Sequence, residues 1–308
     1  MDLEQEQAGR MLGPVQIRRL AKSLAVTPTK KLGQNFVHDA GTVRKIADLA
    51  GVRKQDLVLE VGPGLGSLTL ALLETGARVV AVKIYDLHES YKKKTVAEMA
   101  PAWQGRLTVV NQDALTLDAA ALTEGGTLVA AAAPTALVAN LPYNVAVPVL
   151  LNVLAALESI RSGVVMVQKE VADRLTASPG SRIYGAPTVK LAWYGKARSA
   201  GVVGRKVFWP EPNVESALVR FVVDEEPRGP LELRNATFAV VDATFGQRRK
   251  MLRSSLKELL RSGSGESDAG VETILQASNV AGTERPEDLS VEQFVAISKA
   301  ALDAGWRP

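Results

Sequence analysis

The sequence predicts an α/β chain: a parallel sheet covered by helices, followed by a small all-helical domain. Three observations carry this. Short apolar, β-branched runs alternate with helical spacing between residues 57 and 167, the βαβα rhythm of a parallel sheet. A charged Pro/Gly patch, Asp224-Glu225-Glu226-Pro227-Arg228-Gly229-Pro230, then reads as a linker. Beyond it the apolar pattern is helical, in 233–245, 248–261, 270–280 and 289–303.

The reading divides the 308 residues into a basic N-terminal extension (1–30), a sheet domain (31–225) and a helical domain (226–308). The first strand is 57–61 (LVLEV), with a helix at Ser67–Glu74. Arg78–Ile84 is the second strand, Arg106–Val110 the third, and Leu137–Asn140 ends the fourth. A helix over 146–158 leads to a fifth strand at Gly163–Val167. Pro187–Trp193 and Val214–Val223 are strand-like and are expected to close the sheet with antiparallel edges. Residues 262–269 read as a loop, and Ser290 as the N-cap of the last helix. Residues 125–157 carry no charge, yet Pro134, Asn140, Pro142, Asn144, Pro148 and Asn152 interrupt them. A membrane span wants about 20 predominantly apolar residues, so this stretch reads as a strand, a polar corner and a helix. The start, MDLEQEQAGR, has no apolar signal core. A cytoplasmic, soluble protein with no membrane partner is expected.

Composition narrows the chemistry. With no Cys, disulfides, thiolate metal sites and a Cys nucleophile are excluded. Two His leave little for a His-rich metal site, so no metal is expected. The net charge is +4, but seven net positive charges fall between Arg18 and Lys54, and a second basic run is Arg248, Arg249, Lys250, Arg253 and Lys257. Such clusters are either solvated faces or phosphate-contacting surfaces.

Three motifs sit where strands end. Glu60-Val61-Gly62-Pro63-Gly64-Leu65-Gly66 closes the first strand and opens a helix. Glycines there allow a tight turn and close backbone approach to a ligand, although a purely structural turn would use the same residues. Pro63 departs from the dinucleotide fingerprint and no Walker lysine follows, which argues against a P-loop. Asn140-Leu141-Pro142-Tyr143 groups an amide, a rigid Pro and an aromatic ring at the end of the fourth strand, a set suited to holding a planar base. Asp113-Ala114 follows the third strand; its carboxylate can accept from an adenine amine or serve as a turn cap.

Taken together, these residues resemble the KsgA-type small-subunit ribosomal RNA adenine dimethyltransferases, relatives of the Erm methyltransferases. The matching set begins with Gly33-Gln34-Asn35-Phe36, Glu60–Gly66, Asp113-Ala114-Leu115 and Asn140–Asn144. It continues through Val165–Ala172, Tyr184-Gly185, Phe208, Pro210, Pro212, Ser216-Ala217, Phe245 and Arg248-Arg249-Lys250. The resemblance implies a Rossmann-like sheet using S-adenosyl-L-methionine. It implies two methyl groups on N6 of each of two adjacent adenosines, in the 3′-terminal hairpin loop of 16S rRNA, during assembly of the small ribosomal subunit. Carried over, Asn35, Val37, Gly62, Gly64, Asp113, Ala114 and Asn140 would border the cofactor. Asn140, Leu141, Tyr143 and Phe208 would hold the target adenine, which must leave its stack. Arg248, Arg249 and Lys250 would contact RNA. A monomer is the default for an enzyme that docks on a large particle.

One position departs. A cofactor-binding fold of this type places Asp or Glu about 20 residues past the glycines, to accept from ribose hydroxyls, and the family has Glu there. Here the strand ends Val82-Lys83-Ile84-Tyr85-Asp86, and a charged Lys cannot accept. Weakened cofactor affinity is the expectation, with Asp86 or Glu89 as possible substitutes. Two other readings stay open at this point: an Erm-type enzyme acting on 23S rRNA, and a non-catalytic ribosome-assembly factor.

Overall fold

The computed structural model describes residues 9–23, 35–83, 89–119, 133–262 and 270–308. Gln34, Asp86 and most of the 262–269 loop lie outside the described residues, as does the Glu89 side chain. Helix α1 is Pro14–Ser23, strand β1 Phe36–Val37 and helix α2 Ala40–Ala50. The alternating core follows: β2 Leu57–Val61, α3 Ser67–Glu74, β3 Arg78–Lys83, α4 Glu89–Met99, β4 Leu107–Asp113, β5 Ala136–Asn140, α5 Ala146–Ala156 and β6 Ser162–Gln168. Then come α6 Lys169–Leu175, α7 Ala186–Tyr194, β7 Gly195–Val203, β8 Phe208–Trp209 and β9 Ser216–Val223. The last helices are α8 Leu231–Gly246, α9 Leu252–Ser262, α10 Val271–Ala277 and α11 Val291–Asp303.

The main sheet has seven strands in the order β4-β3-β2-β5-β6-β9-β7. The first five of these pair in parallel, and β9 joins β6 antiparallel. Every residue of β2 is buried, as expected of a central strand covered on both faces. Helix α3 is buried from Ser67 to Leu73, so its near-continuous apolar sequence is a requirement of packing on all sides. Glu60, 1 % exposed, is accommodated because the Thr69 hydroxyl donates to its Oε2 over 2.6 Å, which offsets the cost of a buried carboxylate. A second sheet of two strands pairs β1 with β8, in the register Phe36↔Trp209 and Val37↔Phe208.

The chain divides into two compact units. One holds 1–172 with 198–223, the other 173–197 with 224–308. The second unit has its own core, centred on Tyr184, Val240, Phe294, Ile297 and Trp306. Ser290 caps α11 with a capping box: its Oγ accepts from Gln293 N, and Gln293 Oε1 accepts from Ser290 N.

The strand expected at Pro187–Trp193 is instead helix α7. Val189, Leu191 and Trp193 alternate as a strand would, but Pro187 sits in the first turn, where its fixed φ favours a helix. The Thr188 hydroxyl accepts from Gly185 N at 3.1 Å and satisfies a free helix-start donor. The other expected closing strand, Val214–Val223, is present as β9, antiparallel to β6, and β7 takes the remaining edge.

Candidate active site

Four parallel strands deliver the candidate residues to their carboxyl ends, where ligands of open α/β sheets bind. Asp113 ends β4, Lys83 ends β3, Gly62 follows β2, and Asn140 ends β5. Lys83 and Asp113 are Cα partners, after a register shift between Val82 and Lys83. Gly62 N donates to Val82 O at 2.9 Å, which ties the glycine loop to β3.

Gly62, Gly64 and Gly66 have φ of 71°, 54° and 94°. This run of left-handed conformations is what the glycines supply, since a Cβ there costs roughly 1–2 kcal/mol per residue. At Gly64 a Cβ would also stand 3.0 Å from the Phe36 ring. Phe36 stacks on Trp209 at 6.4 Å and 26°. The Ser67 hydroxyl donates to Val37 O at 2.5 Å. β1 is thus fastened to the start of α3 on one side and to β8 on the other. This brings Val37 and Phe208 into register beside the glycine loop.

The same segment orients Asn140. Its Nδ2 donates to Asn35 O at 3.2 Å, so the amide's Oδ1 is the end left for a ligand. Leu141 N donates to Met166 O at 3.0 Å, which pins the corner to β6. Tyr143 Oη and Ser216 Oγ lie 2.7 Å apart. Burial pushes the Tyr143 phenol above its ordinary range, and the Ser216 bond pulls it partly back. Asp113 acts as a cap: Oδ1 accepts from Leu115 N at 2.9 Å. Ala114 is fully buried, and its carbonyl accepts from Asn152 Nδ2 at 3.0 Å.

Asn35, Val37, Gly64, Asn140 and Phe208 are therefore linked through contacts and strand pairing, with Gly62 in the same loop, Leu141 and Tyr143 on the Asn140 corner and Asp113 at the end of β4, two strands from β2. The basic run belongs to the helical unit and is partly committed there. Arg248 Nε pairs with Glu287 Oε2 at 2.5 Å, and its Nη2 reaches Ser181 O at 3.4 Å. Lys250 lies 3.8 Å from Glu258. Arg249 is exposed and forms no ion pair with a described residue. Sequence reasoning gave Ser216 no role of its own. Its signal was a lone hydroxyl opening strand β9, whose next three residues are apolar.

The residues present fit a nucleoside cofactor with a charged tail. A loop of three side-chain-free positions opens a helix, and a carboxylate stands two strands away. Lys83 is the misfit, a cation where an acceptor is wanted. Among the described residues no group of three or more His, Cys, Asp or Glu could hold a metal ion. No helix there is long and apolar enough to cross a membrane.

Comparison with known proteins gives the family. The family model for ribosomal RNA adenine dimethylase matches residues 26–301. The ribosomal RNA small subunit methyltransferase A of Leifsonia xyli subsp. xyli is 53% identical over 289 residues, 94% of this chain and 98% of the relative. That of Nocardia farcinica is 52% identical over 293 residues, covering 94% and 96%. A crystal structure of a dimethyladenosine transferase from Plasmodium falciparum shares the fold, with a TM-score of 0.70 at 21% identity over 87% of this chain and 98% of that one. The 23S rRNA methyltransferase ErmE aligns with a TM-score of 0.60 at 25% identity, over 86% and 99%. A match across nine-tenths of the sequence, on a sheet whose strand ends carry the residues described above, leaves one conclusion: the chain belongs to the ribosomal RNA adenine dimethylase family.

Proposed function

We propose that this methyltransferase dimethylates N6 of two adjacent adenosines in the 3′-terminal hairpin loop of 16S rRNA, in the cytoplasm, as a monomer acting on a small-subunit precursor. The observation that carries the reading is the Asn140–Asn35 hydrogen bond. It fixes which end of the amide faces outward, at a corner that also holds Leu141 and Tyr143. S-adenosyl-L-methionine supplies an activated methyl group when bound. Gly62 and Gly64, the Asn35–Val37 segment and the Asp113–Ala114 strand end would hold it.

The chain's own task is positioning. Asn140 Oδ1 and the Leu141 carbonyl accept the two N–H bonds of the target amine. This draws the nitrogen from planar toward tetrahedral geometry, frees its lone pair from conjugation with the ring and stabilises the positive charge that develops on it. Tyr143 and Phe208 supply aromatic faces for a base removed from its stack. No strong base is needed, because the amine becomes acidic only as its new bond forms. One N–H remains after the first transfer, so one of the two acceptors still holds the amine in place for the second. Of the named basic residues, Arg249 and Lys250 are exposed enough for phosphate contacts, and Lys250 has only a long surface pair with Glu258 to give up.

Isotope-labelled methyl donor incubated with purified unmethylated small and large subunits tests this. Label recovered as N6,N6-dimethyladenosine from the small subunit is the expected result. Label in the large subunit alone, or none at saturating donor, would overturn it. The ErmE alignment keeps the large-subunit arm in the test.

A further inference from the structure

A third group of cations lies on the sheet unit itself, apart from the basic run at Arg248–Lys257. Residues 198–206 (RSAGVVGRK) hold Arg198, Arg205 and Lys206 and no carboxylate. They run along β7, which is an edge strand of the main sheet, and through the 3₁₀ turn Arg205–Val207 into Phe208. Val207 O accepts from His38 N at 2.9 Å, so this turn packs against the residue after Val37 and borders the candidate site. Arg198, Lys206 and Lys45 are exposed and form no ion pair with a described residue. Lys45, on α2, has its Nζ 3.6 Å from where a Cβ on Gly201 would stand, so it leans over the middle of β7. Arg205 meets Glu211 at 3.5 Å, with both side chains about half exposed, a pair worth roughly 0–1 kcal/mol, and the Arg205 Nη1 also donates to Asn213 O at 3.4 Å.

We propose that the edge of β7 and the turn after it form a track for the phosphate backbone of the RNA strand that carries the target base. Lys45, Arg198 and Lys206 would be its phosphate contacts. This rests on the rRNA reading above. From Arg198 to Lys206 the chain spans up to roughly 25 Å at strand rise, room for several consecutive phosphates. It ends two residues before an aromatic wall of the site. Cations held without carboxylate partners lose little on meeting phosphate, whereas Arg248 must first leave Glu287. The track therefore lets the sheet unit grip RNA beside the pocket, independently of the basic run in the helical unit.

The test is the salt dependence of binding to a fluorescent RNA hairpin oligonucleotide. It compares the full-length protein, the triple variant Lys45→Ala/Arg198→Ala/Lys206→Ala, and the charge-matched control Arg78→Ala/Arg261→Ala/Lys299→Ala. Each phosphate contact contributes roughly 0.7–0.9 to the slope of log K against log salt. The track variant should lose about 2 to 3 from that slope, and the control should keep the wild-type slope. Calorimetric titration with S-adenosylmethionine should give equal affinities for all three. An unchanged slope in the track variant, or an equal loss in both variants, would overturn the proposal. Methyl transfer to small subunits is measured in parallel. A reduced slope with no transfer by the wild type would keep the track and remove the enzymatic reading. Transfer with an unchanged slope would do the reverse.

Discussion

Ser216→Ala should loosen Tyr143 and be detectable in two unrelated measurements. Ser216 is fully buried, and its hydroxyl lies 2.7 Å from Tyr143 Oη. Alanine removes one oxygen and leaves little cavity, so the effect comes from the lost hydrogen bond. A net neutral hydrogen bond is worth about 1 kcal/mol, rising to about 3 when the orphaned partner stays buried. Tyr143 is half-buried, which puts the expected loss near 1–2 kcal/mol, or a few degrees in Tm for a chain this size. Tyr143→Phe should cost a similar amount. The double variant should cost little more than either single, with a coupling of at least about 0.5 kcal/mol. The titration provides the second measurement. Burial raises the phenol and the Ser216 bond lowers it, so Ser216→Ala should move the Tyr143 titration further up. Denaturant melts of the four-protein cycle, together with ultraviolet titration of the phenols, check both. Additive single effects together with an unmoved phenol would refute the argument.

Three further outcomes are expected. Tyr184 is buried, its hydroxyl donates to Leu289 O at 2.8 Å, and burial, with the Glu292 charge adding to it, pushes its pKa up from 10 to about 12. The folded state therefore holds this proton more tightly than the unfolded chain. The contribution is whole below pH 10 and is lost as pH climbs from 10 through 12, by up to about 2–3 kcal/mol. Tyr184→Phe should flatten that alkaline limb, and a limb of unchanged steepness in denaturant melts would contradict it. Arg248→Ala should destabilise by about 1–2 kcal/mol, because Glu287 and Ser181 O both lose a partner; Arg249→Ala should leave the melting temperature within a degree, and equal effects would contradict the contrast. Lys83→Glu places an acceptor at the end of β3, and calorimetric titration should show S-adenosylmethionine bound at least tenfold more tightly than by the wild type; equal affinities would refute a role for Lys83 in cofactor affinity.

What the sequence made legible was local. Strand and helix alternation from β2 to β6, the left-handed glycines after β2 and the Ser290 cap each depend on neighbours within a few positions, so period and residue type suffice. Pro187–Trp193 misled because three alternating apolar residues imitate a strand, while Pro187 and the Thr188 hydroxyl decide for helix. The contacts that assemble the site were not legible from spacing at all. Asn140 meets Asn35 across 105 positions and Tyr143 meets Ser216 across 73. Nor could composition distinguish Arg248, committed to Glu287, from Arg198 and Lys206, which share its charge and have no described carboxylate to hold them.

The pairing of β1 with β8 also has a consequence during synthesis. Phe36 and Trp209 stand opposite each other although 172 residues separate them along the chain. At roughly 5–20 residues per second, β8 leaves the ribosome about ten to thirty-five seconds after β1. Closing so long a loop carries an entropic cost of about 5 kcal/mol, which the strands of β2 to β6 reduce by folding first and holding the two ends near each other. Until β8 arrives, β1 lacks its strand partner, Phe36 its stacking ring and the candidate site its Phe208. A chain stopped short of Trp209 lacks both the β1–β8 pairing and Phe208, so completion of the candidate site waits until the sheet unit has been made almost to its end.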